Sequence, residues 1–304
     1  MKSERNKTID FDVSEDEVYL SRAVREQNYD GEINKIVLGD FFETIKKIKD
    51  SSVDLLIVDP PYDLAKNFHG EVFKKIGYEA YAEYTEKWIN AVKPKLKSTA
   101  SVYVCSDWRS SVSLGAVVEK SFILRNRITW QREKGRGAGA NWKNSMEDIF
   151  FATVGEEYTF NLEAVKLRKK VLAPYKENGN PKDWEKTENG NFRNTCPSNF
   201  WDDISVPYWS MAENTAHPTQ KPEKLVAKLV LASSNEGDLV LDPFAGSGTT
   251  AVVAKKLGRN YIGIEQNPRY CAWAEYRLER ADEDKSIQGY KNGVFWARGA
   301  EPKN

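Results

Sequence analysis

The sequence predicts an α/β fold in which buried strands alternate with helices. Two apolar runs, 55–58 and 239–241, suit strands that are covered on both faces, and each run stops at an aspartate followed by proline. A third run, 261–264, ends at Glu265, and residues 251–257 have helical character. In open α/β sheets ligands bind at the carboxyl ends of the strands, so these acidic strand ends mark the expected site.

The first strand end, Asp59-Pro60-Pro61-Tyr62, combines two fixed hydrogen-bond acceptors with an aromatic ring. The Asp59 carboxylate is one acceptor, and the Pro60 carbonyl is the other, held rigid because Pro61 follows it. Two such acceptors fit an exocyclic amino group, and Tyr62 offers a flat face for a heterocycle. The tetrapeptide indicates a clamp for a planar base that carries an amino group. Taken alone, it fits a proline-rich turn with Tyr62 in ordinary packing equally well.

The second strand end leads into a glycine-rich loop, Asp242-Pro-Phe-Ala-Gly-Ser-Gly-Thr249, and then into a helix. Gly246 and Gly248 allow close backbone approach, and the free N–H groups of the helix suit a nucleotide-like ligand or its carboxylate. The loop matches neither GxGxxG nor the GKS/GKT phosphate loop, which disfavours a dinucleotide or a nucleoside triphosphate. Glu265 has the position that characteristically binds ribose hydroxyls.

These two motifs in this order resemble the amino-group DNA methyltransferases of bacterial restriction–modification systems, in particular their β class of N6-adenine type. In that class the catalytic motif precedes the cofactor loop, and the resemblance here covers roughly residues 36–281. It implies a Rossmann-like, S-adenosylmethionine-dependent methyltransferase sandwich with helices on both faces. The sheet would be mixed, with seven strands of which one is reversed, and circularly permuted. The hairpin 125–153 would supply the reversed pair.

The resemblance also implies the site residues. Asp59, Pro60, Pro61 and Tyr62 would be catalytic. The segment His217-Pro-Thr-Gln-Lys221-Pro would lie against the methionine end of the cofactor, with helix-start and capping roles as the alternative. The cofactor-binding candidates are Asp40, Asp59, His217, Thr219, Lys221, Asp242, Phe244, Ala245, Gly246, Ser247, Gly248, Thr249 and Glu265.

Asp40 follows the strand 36–38 and has two compatible roles. The resemblance places it near the cofactor adenine, whereas the residues alone support it equally as the N-cap of a helix that begins at Phe41. Farther along, the loop 63–77 would close over the substrate, with His69 as a solvated loop residue and not a catalytic base.

The composition limits the functional classes. The chain of 304 residues has 45 basic and 45 acidic residues, so nucleic-acid binding must depend on local patches. Three widely spaced cysteines form no disulfide framework, which predicts the reducing cytoplasm. Two histidines make a zinc site improbable, and no apolar run is long enough to span a bilayer.

Two regions are candidates for DNA contact. Residues 125–143 carry six basic residues and one acid among two tryptophans, and residues 155–208 form an irregular, lysine-rich insertion. For any single residue a solvated charged face is the better-supported alternative. The candidates for DNA binding are Arg132, Lys134, Arg136, Lys143, Arg168, Lys169 and Lys170.

The predicted organisation has five segments. They are an N-terminal extension (1–30), the catalytic half (31–154), an inserted target-recognition region (155–208), the cofactor-binding half (209–285) and a polar C-terminal tail (286–304). In the extension, Ser14 to Glu17 has capping-box spacing, which predicts a short helix; a poorly ordered tail is the equal alternative.

The function that the resemblance implies is methyl transfer from S-adenosylmethionine to N6 of adenine in a specific duplex DNA sequence. The adenine must be flipped out, because N6 lies inside the duplex. No covalent intermediate is needed, so Cys105 is expected to be buried structure.

Three alternatives stay open at this point. The enzyme could methylate N4 of cytosine, although enzymes of that type tend to have Ser where Asp59 stands; the chain could bind DNA without turnover; and a nicotinamide oxidoreductase is disfavoured by the missing GxGxxG. The expected partner is double-stranded DNA. A homodimer and a cognate restriction endonuclease that acts on the same site without a stable complex are further alternatives.

Overall fold

The computed structural model describes residues 4–12, 17–64, 66–68, 71–132, 139–171 and 175–300, with backbone only at 66–68 and 71–73. The α-helices are α1 (Glu17–Leu20), α2 (Phe41–Thr44), α3 (Tyr78–Val92), α4 (Ser110–Ser121), α5 (Glu223–Ser233), α6 (Thr249–Lys256) and α7 (Pro268–Glu283). Short 3₁₀ helices are Glu26–Asn28, Ile45–Lys47, Lys93–Lys95 and Leu162–Val165.

The strands are β1 (Val24–Arg25), β2 (Lys35–Leu38), β3 (Val53–Val58), β4 (Lys66–Phe68), β5 (Glu71–Phe73), β6 (Leu96–Asp107), β7 (Ile123–Gln131), β8 (Met146–Thr153), β9 (Leu167–Lys170), β10 (Lys176–Glu177), β11 (Asn180–Pro181), β12 (Glu185–Thr187), β13 (Gly190–Thr195), β14 (Phe200–Trp201), β15 (Leu239–Asp242), β16 (Asn260–Glu265), β17 (Tyr290–Lys291) and β18 (Val294–Trp296).

Among the described strands, nine form the main sheet in the order β1-β2-β16-β15-β3-β6-β8-β7-β14. Neighbours are parallel except at β8, which runs antiparallel to β6 and to β7. The seven inner strands are therefore the predicted mixed sheet with one reversed strand, and two-residue strands extend both edges. Strands β15 and β16, late in the chain, lie between β2 and β3 from its beginning. The circularly permuted α/β sandwich is confirmed.

The strand β3 shows why this sheet lies between two layers of helices. Leu55 and Ile57 pack into the core that contains α5, α6 and α7, whereas Leu56 and Val58 pack into the core that contains α2, α3 and α4. All four side chains are at most 3% exposed. Burying such a side chain contributes about 1.5–3 kcal/mol, so the uninterrupted apolar run is what commits this strand to the centre of the sheet.

A second sheet combines the insertion with the end of the chain, in the order β12-β13-β9-β18-β17. The apolar strand β18 pairs in parallel with β9, where Phe295 faces Leu167 across the ladder. Phe295 is fully buried. The expectation of a polar tail over 286–304 is therefore wrong for its described part, because the short Val-Phe-Trp run completes the sheet of the insertion.

The N-terminal extension packs against the domain. Strand β1 pairs in parallel with β2, and Ile9 bridges to Thr215 while packing on Tyr270 and Trp273. The short helix α1 begins at Glu17, and the residues before it in the predicted capping box lie outside the described residues. Within the described ranges, no helix has the length and apolar character needed to cross a membrane.

Candidate active site

The carboxyl ends of the central strands open onto a cavity of about 400 Å³. Asp40, Asp59, Asp242 and Glu265, which end or follow β2, β3, β15 and β16, all line it. These four strands are consecutive and parallel, in the order β2-β16-β15-β3, so their carboxyl ends meet at one edge of the sheet. The acids that the sequence marks as strand ends are thus brought together in one site.

The glycine-rich loop forms one wall of this cavity. Gly246 has φ of 51°, and a Cβ there would come within 3.0 Å of His217 Nε2. Gly248 has φ of 78° and is the N-cap of α6, and a Cβ there would lie 2.5 Å from Ala274 Cβ on α7. Gly246 therefore lies in the cavity wall, where a side chain would press against His217. Gly248, predicted to bind the cofactor, does not line the cavity and instead allows two helices to approach closely.

Asp242 holds this loop in place through two hydrogen bonds. Its carboxylate accepts hydrogen bonds from Phe244 N, at 3.1 Å, and from the hydroxyl of Thr250. Burial raises the pKa of Asp242 to about 7, although both hydrogen bonds favour the ionised form. The side chain therefore both holds the loop and changes charge near neutral pH.

Glu265 connects the ends of two loops. Its Oε2 accepts from Gly246 N at 2.8 Å and its Oε1 from Asn267 N at 2.8 Å. Two backbone donors hold the carboxylate at the cavity wall, where hydroxyl groups of a ligand can meet it. Asp40 is fixed similarly, since its Oδ1 accepts from Phe42 N and Glu43 N, which confirms the predicted N-cap.

A buried network of ion pairs and hydrogen bonds holds the glycine-rich loop. Arg277 donates to Ser247 O at 2.8 Å and to Thr249 Oγ1 at 3.0 Å, and its other nitrogen lies 3.1 Å from Glu223 Oε1. Lys256 pairs with the second oxygen of Glu223 at 2.7 Å. Sequence reasoning missed this network, because an arginine within an amphipathic helix carries no sign of its partner 54 residues away.

The catalytic candidate Asp59 is held by two donors. Tyr62 donates its hydroxyl to Asp59 Oδ1 at 2.7 Å, and Lys221 Nζ lies 2.6 Å from Asp59 Oδ2. The sequence assigns Lys221 to the cofactor carboxylate, whereas the structure places its ammonium against the carboxylate of Asp59. Burial raises the pKa of Tyr62 well above its usual value, with Asp59 adding to the effect, so the phenol stays neutral and donates.

The second acid at this ammonium was not predicted. Glu147, at the start of β8, is 3% exposed and has its Oε2 3.2 Å from Lys221 Nζ, while its Oε1 accepts from Arg132. Burial opposes the charge on Lys221, but Asp59 and Glu147 outweigh it and raise the lysine pKa above its usual value. The only sequence sign of Glu147 is a charged residue at the start of an apolar strand.

The other predicted cofactor residues also reach the cavity. Thr219 donates its backbone N–H to His217 Nδ1 at 3.3 Å, and the His217 ring packs edge-on against Tyr270. Those that line the cavity are Asp40, Asp59, His217, Thr219, Lys221, Asp242, Phe244, Ala245, Gly246, Ser247, Thr249 and Glu265. Pro60, Pro61 and Tyr62 line it too. Their individual roles stay predictions.

The residues fit S-adenosylmethionine. The volume is in the range of small-molecule sites, and a wall of loop backbone lets a flat ligand approach closely. The strand-end carboxylates of Asp59, Asp242 and Glu265 suit hydroxyl groups and positive charge, but would repel the phosphates of a dinucleotide. These acceptors therefore agree with a ligand that carries ribose hydroxyl groups and a positively charged sulfonium.

The basic candidates for DNA contact separate into two groups. Arg132 pairs with buried Glu147, and Arg168 pairs with Glu185 while lying over the rings of Phe192 and Trp296. Lys143, Lys169 and Lys170 are exposed, and Lys134 and Arg136 lie outside the described residues. The paired arginines thus have structural roles of their own, and the exposed lysines are available to a partner.

A family model described as DNA methylase matches residues 53–276, which include seven of the nine strands of the main sheet and every residue named above as lining the cavity except Asp40. The chain belongs to the DNA methylase family. It is 35% identical over 263 residues to the DNA adenine methyltransferase YhdJ of Escherichia coli (strain K12), which covers 83% of this chain and 85% of that protein. It is 32% identical over 248 residues to the Type II methyltransferase M.HpaI of Haemophilus parainfluenzae, with 81% and 74% covered.

Solved structures of DNA methylases share the fold. The cytosine-N4-specific PvuII DNA methyltransferase superposes with a TM-score of 0.60 at 17% identity, covering 82% of this chain and 90% of that one. The M1.HpyAVI–SAM complex gives 0.56 at 24% identity, covering 80% and 98%. This DNA methylase is accordingly an S-adenosylmethionine-dependent DNA methyltransferase. The family, the enzyme class and the cofactor that the sequence predicts are confirmed.

Proposed function

We propose that this methyltransferase modifies N6 of adenine within a specific duplex sequence, as the modification enzyme of a restriction–modification system. The observation that carries the proposal is the acceptor Asp59, held beside the Tyr62 ring at the rim of the cofactor cavity. The name of YhdJ supports adenine as the target, and the type II name of M.HpaI supports a role in restriction–modification.

The chemistry of the chain then follows from these positions. S-adenosylmethionine supplies a methyl group on a positively charged sulfur. Asp59 and the Pro60 carbonyl accept the two N6 hydrogens, which directs the nitrogen lone pair away from them and toward the cofactor cavity. As positive charge develops on that nitrogen, the same two oxygens stabilise it without reorganising.

Tyr62 has to change partner when the target base enters. Its hydroxyl is hydrogen-bonded to the Asp59 carboxylate and lies 3.2 Å from Lys221 Nζ, so it stands where the amino group of the base would enter. Once displaced, the ring can stack on the flipped base, and such stacking contributes about 1–3 kcal/mol. Exchange of a hydroxyl for an amino group keeps the half-buried Asp59 carboxylate hydrogen-bonded in both states.

DNA contact is assigned to the exposed lysines and the insertion. Lys143, Lys169 and Lys170 would touch phosphates, and residues 155–208 would read the target sequence in the groove. Arg132 and Arg168 would position neighbouring acids and rings rather than bind DNA alone. The loop 63–77 would close over the base; Asp63 holds its far end by accepting from Ile76 N, and His69 lies outside the described residues. A cytoplasmic location, a homodimer and a cognate endonuclease without a stable complex belong to this proposal.

The test uses labelled S-adenosylmethionine and DNA that lacks adenine methylation, followed by digestion to nucleosides. Label is expected in N6-methyldeoxyadenosine and is expected to fall at least ~100-fold in Asp59→Ala, because an acceptor of the developing charge is lost. The matched control, Asp50→Ala, removes an exposed acid that pairs with Lys95 and should keep full activity. Label in N4-methyldeoxycytidine would overturn the choice of adenine, and no label in any nucleoside would overturn the reaction.

A further inference from the structure

The ion pair of Lys221 and Glu147 lies beside the catalytic acid, yet the methyl transfer proposed above does not use it. Both side chains are nearly buried, at 8% and 3% exposure, and both line the cavity. Bringing two charged groups out of water costs several kcal/mol each before their attraction offsets it. A charged pair at this position therefore calls for a function that apolar side chains could not perform.

One acceptor of this pair is incompletely satisfied. Among the described residues, no donor makes an aligned hydrogen bond to Glu147 Oε2, although Lys221 Nζ is 3.2 Å away. The ammonium makes its shortest contact, 2.6 Å, with Asp59 Oδ2, and it also lies 3.2 Å from the Tyr62 hydroxyl oxygen. The contact with Tyr62 is the one that a ligand can replace, because Tyr62 leaves this position when the base enters.

We propose that Lys221 binds the ring nitrogen next to the amino group of the target base, and that Glu147 positions Lys221 for this contact. Asp59 Oδ2 and Lys221 Nζ form an acceptor and a donor 2.6 Å apart. The amino nitrogen and N1 of adenine form the complementary donor and acceptor, about 2.3 Å apart for two C–N bonds of ~1.33 Å. The acceptor and donor of the protein therefore face the donor and acceptor of the base at a similar spacing.

The same pair would reject the wrong bases. Thymine presents a carbonyl and a ring N–H in the reverse order, which would place an oxygen against the Asp59 carboxylate and a hydrogen against the ammonium. Mismatched polar groups in a buried site are costly, so the contact provides selection after flipping. Cytosine has the same amino and ring-nitrogen edge as adenine, so this inference deepens the proposed function and does not decide between these two bases.

The decisive experiment changes the base. Duplexes carry adenine, 1-deazaadenine or 7-deazaadenine at the target position, each opposite an abasic site so that flipping costs are similar. For the wild type, kcat/KM is expected to fall about 10- to 100-fold with 1-deazaadenine, which lacks the proposed acceptor. It should stay close to the adenine value with 7-deazaadenine, which keeps that acceptor. Equal rates on adenine and 1-deazaadenine would overturn the inference.

Two variants, Lys221→Met and Glu147→Gln, test whether Lys221 makes the contact and Glu147 positions it. Lys221→Met should be slower on adenine but lose nothing further on 1-deazaadenine, because the two changes remove the same contact. If kcat/KM of Lys221→Met falls from adenine to 1-deazaadenine by the same factor as that of the wild type, the assignment is contradicted. Lys221→Met should also bind S-adenosylmethionine with unchanged Kd; a large rise in Kd would return Lys221 to the cofactor carboxylate. Glu147→Gln should weaken the discrimination between the two bases without altering cofactor binding.

Failure of this inference is distinguishable from failure of the proposed function. If the wild type methylates adenine but does not discriminate against 1-deazaadenine, only the role of Lys221 is overturned. If it methylates no adenine, the proposed function itself fails. Should Lys221→Met not fold, the comparison of the two deaza duplexes with the wild type still decides.

Discussion

At the scale of single residues, the site is organised by what each side chain holds in place. Asp59 receives one hydrogen bond from a residue three positions away and an ion pair from a residue 162 positions away. Glu265 receives two backbone donors from two loops. Because the polar groups are held before a ligand arrives, little reorganisation remains for the moment of reaction.

Gly248 of the glycine-rich loop allows a prediction at this scale. Gly248→Ala should destabilise the protein by more than ~1 kcal/mol, because it combines a positive φ with a clash at Ala274. The matched control is Gly237→Ala, which has φ of 83° with nothing within 4 Å of the added Cβ and so carries only the backbone strain. Urea unfolding midpoints measure both. Equal losses in the two variants would contradict the close approach of α6 and α7.

At the scale of elements, the insertion depends on the last strand of the chain. Phe295 on β18 belongs to the main hydrophobic core, and Trp296 beside it lies edge-on to Phe192 of β13 at 5.5 Å. Arg168 lies over both the Phe192 and the Trp296 rings. The proposed recognition region is thus held to the methyltransferase core by residues from three strands, which ties its orientation to that of the cavity.

Phe295→Ala should therefore cost about 3–5 kcal/mol, the usual range for deleting a fully buried phenylalanine. The comparison variant is Phe200→Ala, which removes a ring that is 53% exposed and should cost far less. Chemical denaturation gives both values. A small effect at Phe295 would mean that the β18 strand is not packed as described.

At the scale of the whole molecule, the equal numbers of acidic and basic residues do not show that some acids have strongly raised pKa values. Burial raises the pKa of Asp242 and that of Glu275 to about 7, from ordinary values of 3.8 and 4.5. The folded state therefore binds these protons more tightly than the unfolded chain does. The stability that they contribute is complete below the ordinary values and is lost as the pH rises through 7.

We expect the melting temperature to fall as the pH increases from about 5 to 7. Glu275→Gln should flatten this slope, because the amide cannot ionise, whereas Glu188→Gln at an exposed turn should leave it unchanged. Thermal unfolding across this pH range measures the difference. An identical slope in the wild type and in Glu275→Gln would show that Glu275 does not titrate with folding.

Above this range the direction should reverse. Burial lowers the pKa of Lys228 to about 8, so the unfolded chain binds that proton more tightly and stability rises as the pH increases beyond 8. The two effects occupy separate pH windows.

The sequence by itself determined the α/β class, the strand-end acids, the glycine-rich loop and the family. Short segments of the sequence are enough to predict these features, because apolar runs, prolines and glycines act on the backbone within a few residues. Asp59 and Tyr62 could be singled out for this reason, and so could Gly246.

Only the tertiary structure decided that Lys221 meets Asp59, that Glu147 lies beside Lys221, and that the chain end completes the insertion sheet. These contacts join segments far apart in the chain, and they depend on strand order and register, which no local pattern specifies. The same reason separates the basic residues, because a local excess of arginine does not reveal that Arg132 is neutralised by an acid on the neighbouring strand.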